Sequence, residues 1–86
     1  MDVSGYPISE GSLAAAWFGR RTRFLKTIGK AGFSERDEGR RYLVDRSGAT
    51  VSLAEIVAVI TANHPLLQYE LYQQWMDVSR SGDIEP

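Results

Sequence analysis

Apolar residues recur at spacings of three, four and seven from Leu13 onward. Leu13, Ala14, Trp17, Phe18, Phe24, Leu25 and Ile28 fall on one face of a helix, with Arg20, Arg23, Lys26 and Lys30 opposite. Ser9 precedes the run as an N-cap, and Glu10 puts a carboxylate in the first turn, where the helix N-terminus favours negative charge. Gly29 and Gly32 supply the stop. Two residues interrupt the pattern. Gly19 is mid-helix and costs about 1 kcal/mol relative to alanine. Arg21 projects near the middle of the apolar face if the helix is continuous, where an unpaired guanidinium is costly. Three arrangements answer this: a bend at Gly19 that shifts the phase, a carboxylate paired with Arg21, or a binding surface on that face.

Beyond Phe33 the period changes. Arg41-Tyr-Leu-Val-Asp45 alternates as a strand does, with Tyr42 and Val44 on one face and Leu43 on the other. Ser47-Gly48 marks a turn and Ala49 to Val51 returns from it. Phe33 to Arg36 is a candidate first strand, closed by Asp37-Glu38-Gly39. Ser52-Leu-Ala-Glu55 is a capping box that starts a helix with the stripe Leu53, Ile56, Val57 and Ile60. That helix is expected to end at Ile60, with Thr61 to Asn63 as the turn. Pro65 suits the first turn of a last helix, Leu66 to about Ser79, whose main stripe is Leu67, Leu71, Trp75 and Val78. The pattern predicts a mainly helical α+β fold in the order α-β-β-α-α, with one more strand if the Phe33 segment pairs. Residues 1–86 read as one small domain with flexible ends at 1–8 and 81–86.

Charge changes this picture most. Nine of the ten basic residues lie between Arg20 and Arg46 and meet only four acidic ones there, an excess of five. The rest of the chain sets seven carboxylates against Arg80, and the formal net charge is −1. A basic window of this kind points to a polyanion or an acidic protein surface. Arg20, Arg23, Lys26 and Lys30 would follow phosphates. Arg40, Arg41 and Arg46 would add contacts from the hairpin, and Thr22 and Thr27 would offer hydroxyls.

Composition removes other classes. Without cysteine there is no disulfide, no thiolate nucleophile and no zinc finger. His64 is the only histidine, and Ser52, Asp45 and His64 form no recognisable nucleophile motif. Gly29-Lys-Ala-Gly32 lacks the spacing of a phosphate-binding loop. Neither enzyme, cofactor nor metal site is therefore expected. No apolar run reaches the roughly 20 residues that cross a bilayer, and Met1 to Ser9 lacks the basic and apolar segments of a signal peptide. No membrane association and a cytoplasmic location are the expectations.

The last two helices resemble a helix-turn-helix, whose recognition helix would present His64, Gln68, Tyr69, Tyr72 and Gln73, although it holds no cation for phosphate. The leading expectation is a small non-enzymatic regulator that contacts nucleic acid through the basic 20–46 region and docks or dimerises through this helix pair. The alternative is a protein-binding adaptor or inhibitor, of the accessory kind carried by phages and plasmids. Its anchors would be Tyr69, Tyr72 and Met76 on an aromatic surplus that also suits a homodimer seam.

Overall fold

The computed structural model describes residues 6–81; the expected flexible ends at 1–5 and 82–86 lie outside the described residues. Four helices and one sheet follow in the order α1 (Glu10–Gly19), α2 (Arg21–Gly29), β1 (Ser34–Asp37), β2 (Arg41–Val44), β3 (Thr50–Val51), α3 (Leu53–Asn63) and α4 (Pro65–Ser81). The fold is α+β and mainly helical. The sheet is an antiparallel meander, β1-β2-β3, in which Glu35 pairs with Leu43 and Leu43 with Val51. The Phe33 segment thus contributes its strand.

The long first helix is two helices. Arg20 leaves the helical region (φ −140°, ψ 57°) and turns the chain, so α1 and α2 lie side by side. The expected single apolar face divides accordingly. α1 buries Ser12, Leu13 and Ala16, while Phe18 is 71% exposed and stacks on Trp17, ring centres 5.3 Å apart. Phe18 is therefore not a core residue. The physical reason is the close approach of α1 to α4: Ser12, Ala16 and Gly19, at i, i+4 and i+7, keep one face of α1 narrow. A Cβ on Gly19 would stand 2.8 Å from a methyl of Val78.

α4 is the central helix and packs against α1, α2 and α3. Its Leu67, Leu71 and Val78 face inward. The core cluster adds Leu13, Phe24, Ile28, Phe33, Leu43, Ile56 and Ile60, so every other helix and the sheet contribute to it. Contacts fix the directions. Tyr6 meets Tyr69 and Tyr72 while Gly19 meets Val78, so α1 runs alongside α4 in the same sense. Arg23 meets Asp77 and Lys30 meets Glu70, so α2 runs the opposite way. Tyr6 and Ile8, expected within a flexible end, are packed: the Tyr6 carbonyl accepts from Gln68 Nε2 at 2.9 Å, and Ile8 lies against the core.

The caps follow the sequence closely. Ser52 and Glu55 form the reciprocal capping box of α3, and Ser9 forms one with Ser12 at the start of α1. α3 continues through Thr61 to Asn63, the residues expected to turn, and only His64 separates it from α4. A residue before proline is driven out of the helical region. His64 obeys that rule (φ −135°, ψ 72°), while its amide still closes the helix on the Ile60 carbonyl at 2.8 Å.

Gln74 is the unexpected core member, 1% exposed, with Nε2 2.6 Å from Thr27 Oγ1 and no hydrogen bond to its Oε1 among the described residues. Thr27 Oγ1 in turn donates to the Arg23 carbonyl at 3.1 Å. Opposite outcomes follow for the two partners. Gln74→Met keeps the volume and removes a buried acceptor, so stability should hold or rise by up to about 1 kcal/mol. Thr27→Val strands the whole amide and should cost about 2 kcal/mol. Urea midpoints of the two variants measure both.

Candidate functional surfaces

The basic window folds onto carboxylates from two sources. On α2, Arg23 Nη1 lies 2.9 Å from Asp77 Oδ2 and Lys30 Nζ 3.3 Å from Glu70 Oε1, both partners belonging to α4. On the hairpin, Arg36 lies 3.5 Å from Glu38, and Arg41, cross-strand from Asp37, lies 3.9 Å from it. Arg21 pairs with Glu35. Among the described residues, at least five of the nine cations in the window therefore have a carboxylate within salt-bridge reach. Lys26, Arg40 and Arg46 are exposed and make no ion pair among the described residues. Arg20 donates to the Gly19 carbonyl at 3.2 Å. The excess of five read along the chain shrinks to three once Glu70 and Asp77 are counted with α2. Each exposed pair adds little stability, but a neutralised cation also contributes less to a long-range field.

Two assigned roles change. Thr27 is 3% exposed and serves the core rather than an external phosphate. Arg21 is answered by both structural arrangements, the break after Gly19 and a carboxylate. Its Nε lies 3.1 Å from Glu35 Oε1 and 3.2 Å from Oε2, and Trp17 Nε1 donates to Oε2 at 2.7 Å. The Glu35 side chain is only 6% exposed. Arg21 hydrogen bonding, helped by Trp17, holds the Glu35 carboxyl below its ordinary pKa against the opposing effect of burial. Glu35 thus ties α1, α2 and β1 together.

Arg46 follows the Asp45 turn, in which Asp45 Oδ1 accepts from Ser47 N at 2.9 Å, Ser47 Oγ at 2.6 Å and Ala49 N at 3.1 Å. These bonds, the Ser47 hydroxyl first, lower the Asp45 pKa. The Arg46 stem crosses bare backbone at Gly32, where φ is +94° and a Cβ would fall 2.5 Å from Arg46 Nε. Beside them opens a shallow cleft of about 410 Å³ floored by Ala31, Phe33, Val51 and Val59. Asp45 and Glu55 line it too, so its charges are mixed.

The last helix has two distinct surfaces. Gln68 is 3% exposed and occupied by Tyr6, which removes one of the five side chains expected on a recognition face. Tyr72 is half-buried, its ring 5.6 Å from Tyr6 and 6.0 Å from Trp75. Leu66 and Tyr69 point outward, 77% and 43% exposed. Gln73 and Met76 continue the same face half-exposed. Leu66, Tyr69, Gln73 and Met76 are spaced three, four and three, which is one line along a helix. The helix-turn-helix expectation gives Gln73 a base-reading role and does not include Leu66. The 3-4-3 spacing was the signal for the line. A second cleft of about 360 Å³, lined by Lys30, Asn63, His64, Pro65, Leu66 and Leu67, borders its N-terminal end.

Among the described residues, no group of three or more His, Cys, Asp or Glu side chains is placed to hold a metal ion. Within the same residues no helix is long and apolar enough to cross a membrane. Compared with protein-family models, curated proteins and solved structures, the chain matches none.

Proposed function

We propose that this chain is a non-enzymatic protein-binding domain whose docking element is the outward face of α4. One observation carries the reading: Leu66 and Tyr69 stand 77% and 43% exposed on the helix whose opposite face forms the core, in line with Met76. A lone exposed apolar residue is ordinary, whereas an aligned set bordered by charge has the composition of an interface core. The borders are Glu70 and Asp77, each already held by a cation of α2. Tyr69 and Met76 are anchors in this reading. Tyr72 supports them from behind through Tyr6 and Trp75.

A second reading keeps nucleic acid as the partner, on the strength of Lys26, Arg40 and Arg46, which make no ion pair among the described residues. It ranks behind the first because Arg23, Lys30 and Arg41 are engaged and because α4 is built into the core rather than offered to a groove.

A photo-cross-linking amino acid placed at Tyr69 in one variant and at Lys26 in another separates the readings in cells that express the chain. The Tyr69 variant should yield protease-sensitive, nuclease-resistant adducts. Adducts only from the Lys26 variant, removed by nuclease, would transfer the assignment to nucleic acid. In that case binding should also weaken steeply with salt.

A further inference from the structure

The cleft beside Gly32 has an apolar floor and a charged rim. Ala31, Phe33, Val51 and Val59 make the floor, and all four also pack with the core. The rim carries Asp45 and Arg46 from the turn after β2 and Glu55 from the first turn of α3. None of these residues belongs to α4, so the cleft is separate from the face proposed above.

Each rim group is held in place by its own chain and keeps polar atoms unengaged. Asp45 Oδ1 accepts from Ser47 N, Ser47 Oγ and Ala49 N, while among the described residues Oδ2 accepts no hydrogen bond. Glu55 Oε1 accepts from Ser52 N at 3.3 Å and Ser52 Oγ at 3.4 Å, and among the same residues Oε2 accepts none. The Arg46 stem lies flat on Gly32, where a Cβ would fall 2.5 Å from Nε, 2.9 Å from Cγ and 3.0 Å from Cδ. Only a residue without a side chain leaves room there, and φ +94° suits glycine as well. The Arg46 guanidinium has no carboxylate within salt-bridge reach among the described residues. Side chains held in advance lose little freedom when a ligand arrives.

The charges select the ligand. An uncharged apolar molecule would leave all three rim groups unanswered. An anion on Arg46 would stand among two carboxylates, and a cation between those carboxylates would stand beside a guanidinium. A zwitterion answers each charge with its opposite: a carboxylate for the Arg46 fork and an ammonium for Asp45 Oδ2 and Glu55 Oε2. We infer that this cleft binds a free α-amino acid with an apolar side chain, laid on the floor of Ala31, Phe33, Val51 and Val59. The volume of about 410 Å³ is within the range of small-molecule sites. The cleft is shallow and its rim meets water, so the dissociation constant should be about millimolar.

Magnetic-resonance titration of the isotopically labelled chain tests this with probes of one shape. These are L-leucine, isocaproate, which lacks the ammonium, and isopentylamine, which lacks the carboxylate. L-Phenylalanine serves as a second amino acid. L-Leucine should move the amide signals of Gly32, Arg46, Ser47 and Val59 saturably. Each analogue should bind at least about tenfold more weakly, the effect of losing one charge-assisted pair. Arg46→Gln, a change at an exposed position, should weaken L-leucine about tenfold and leave signals remote from the cleft in place. Absence of saturable shifts with both amino acids up to about 50 mM overturns the site. An analogue that binds as well as L-leucine, or an Arg46→Gln chain with unchanged affinity, overturns the zwitterion assignment. Cross-linking at Tyr69 reads a different surface, so neither result decides the other.

Discussion

Replacing Glu35 with alanine should cost about 3 kcal/mol, much of the stability of a domain this small. Three donors lose their acceptor at once: Trp17 Nε1 at 2.7 Å, Arg21 Nε at 3.1 Å and the Arg21 Nη2 that completes the fork. The carboxylate is nearly buried and joins three elements, so its removal leaves Trp17 facing an apolar gap and α2 untied from β1. The exposed pairs Arg36–Glu38 and Arg41–Asp37 offer the contrast, since separating either should change stability by less than about 1 kcal/mol. Titration adds a second signature. The Glu35 pKa is lower in the folded chain than in the unfolded one. The charged form therefore favours folding above the unfolded carboxyl pKa, and that stabilisation disappears as pH falls through the lower, folded value. The parent chain should lose stability steeply below about pH 4. Glu35→Gln should start less stable and show a shallower acid limb. Asp45, whose pKa is lowered in the same direction, accounts for the part of that limb that persists. Chemical unfolding at neutral and acid pH measures both effects.

Gly19→Ala should destabilise the chain by about 1–2 kcal/mol, although alanine in a helix is ordinarily favoured over glycine by about 1 kcal/mol. The sign is set by Val78, two of whose methyls would lie 2.8 and 2.9 Å from the new Cβ. Val78 is fully buried in the central helix and has no room to retreat. Gly19→Val should be worse, about 3 kcal/mol, because a branched side chain forces α1 away from α4. The mechanism is checked by a double-mutant cycle. Val78→Ala alone should cost about 2 kcal/mol for the cavity it opens. In that background Gly19→Ala should become neutral or stabilising, a coupling of more than 1 kcal/mol between positions 59 residues apart in sequence. Simple addition of the two costs would show that Gly19 serves helix termination rather than close packing.

Both cases show what pattern conveys and what it omits. The apolar stripes of α3 and α4, the Ser9 and Ser52 caps, the Ser47-Gly48 turn and Pro65 at the start of α4 were legible because each is a local rule read within about five residues. The bend near Gly19 and the need of Arg21 for a carboxylate were legible as alternatives. The choice was not, since both hold together and the partner, Glu35, comes from a strand 14 residues away. Phe18 was misplaced because the face of α1 that turns inward is the one carrying Ser12, Ala16 and Gly19, and its close approach to α4 is a tertiary contact. Thr27 and Gln74 were not seen as core because a polar side chain is read as surface unless its partner is known, and that partner lies 47 residues off.

The basic window and the α4 face divide along the same line. The sequence by itself determined that nine cations cluster between Arg20 and Arg46 and that the last helix carries more apolar surface than a small core absorbs, because composition and helical spacing are local properties of the chain. Only the tertiary structure decided that α2 runs antiparallel to α4. That arrangement brings Glu70 and Asp77 onto Lys30 and Arg23, so charge along the chain does not become an equal charge on the surface. It also decided how the aromatic residues are shared: Tyr6 packs on both Tyr69 and Tyr72, and Tyr72 is half-buried while Tyr69 and Leu66 keep 43% and 77% of their surface exposed. Electrostatic and packing energies depend on distance in space, and the packing of α1 and α2 around α4 sets those distances.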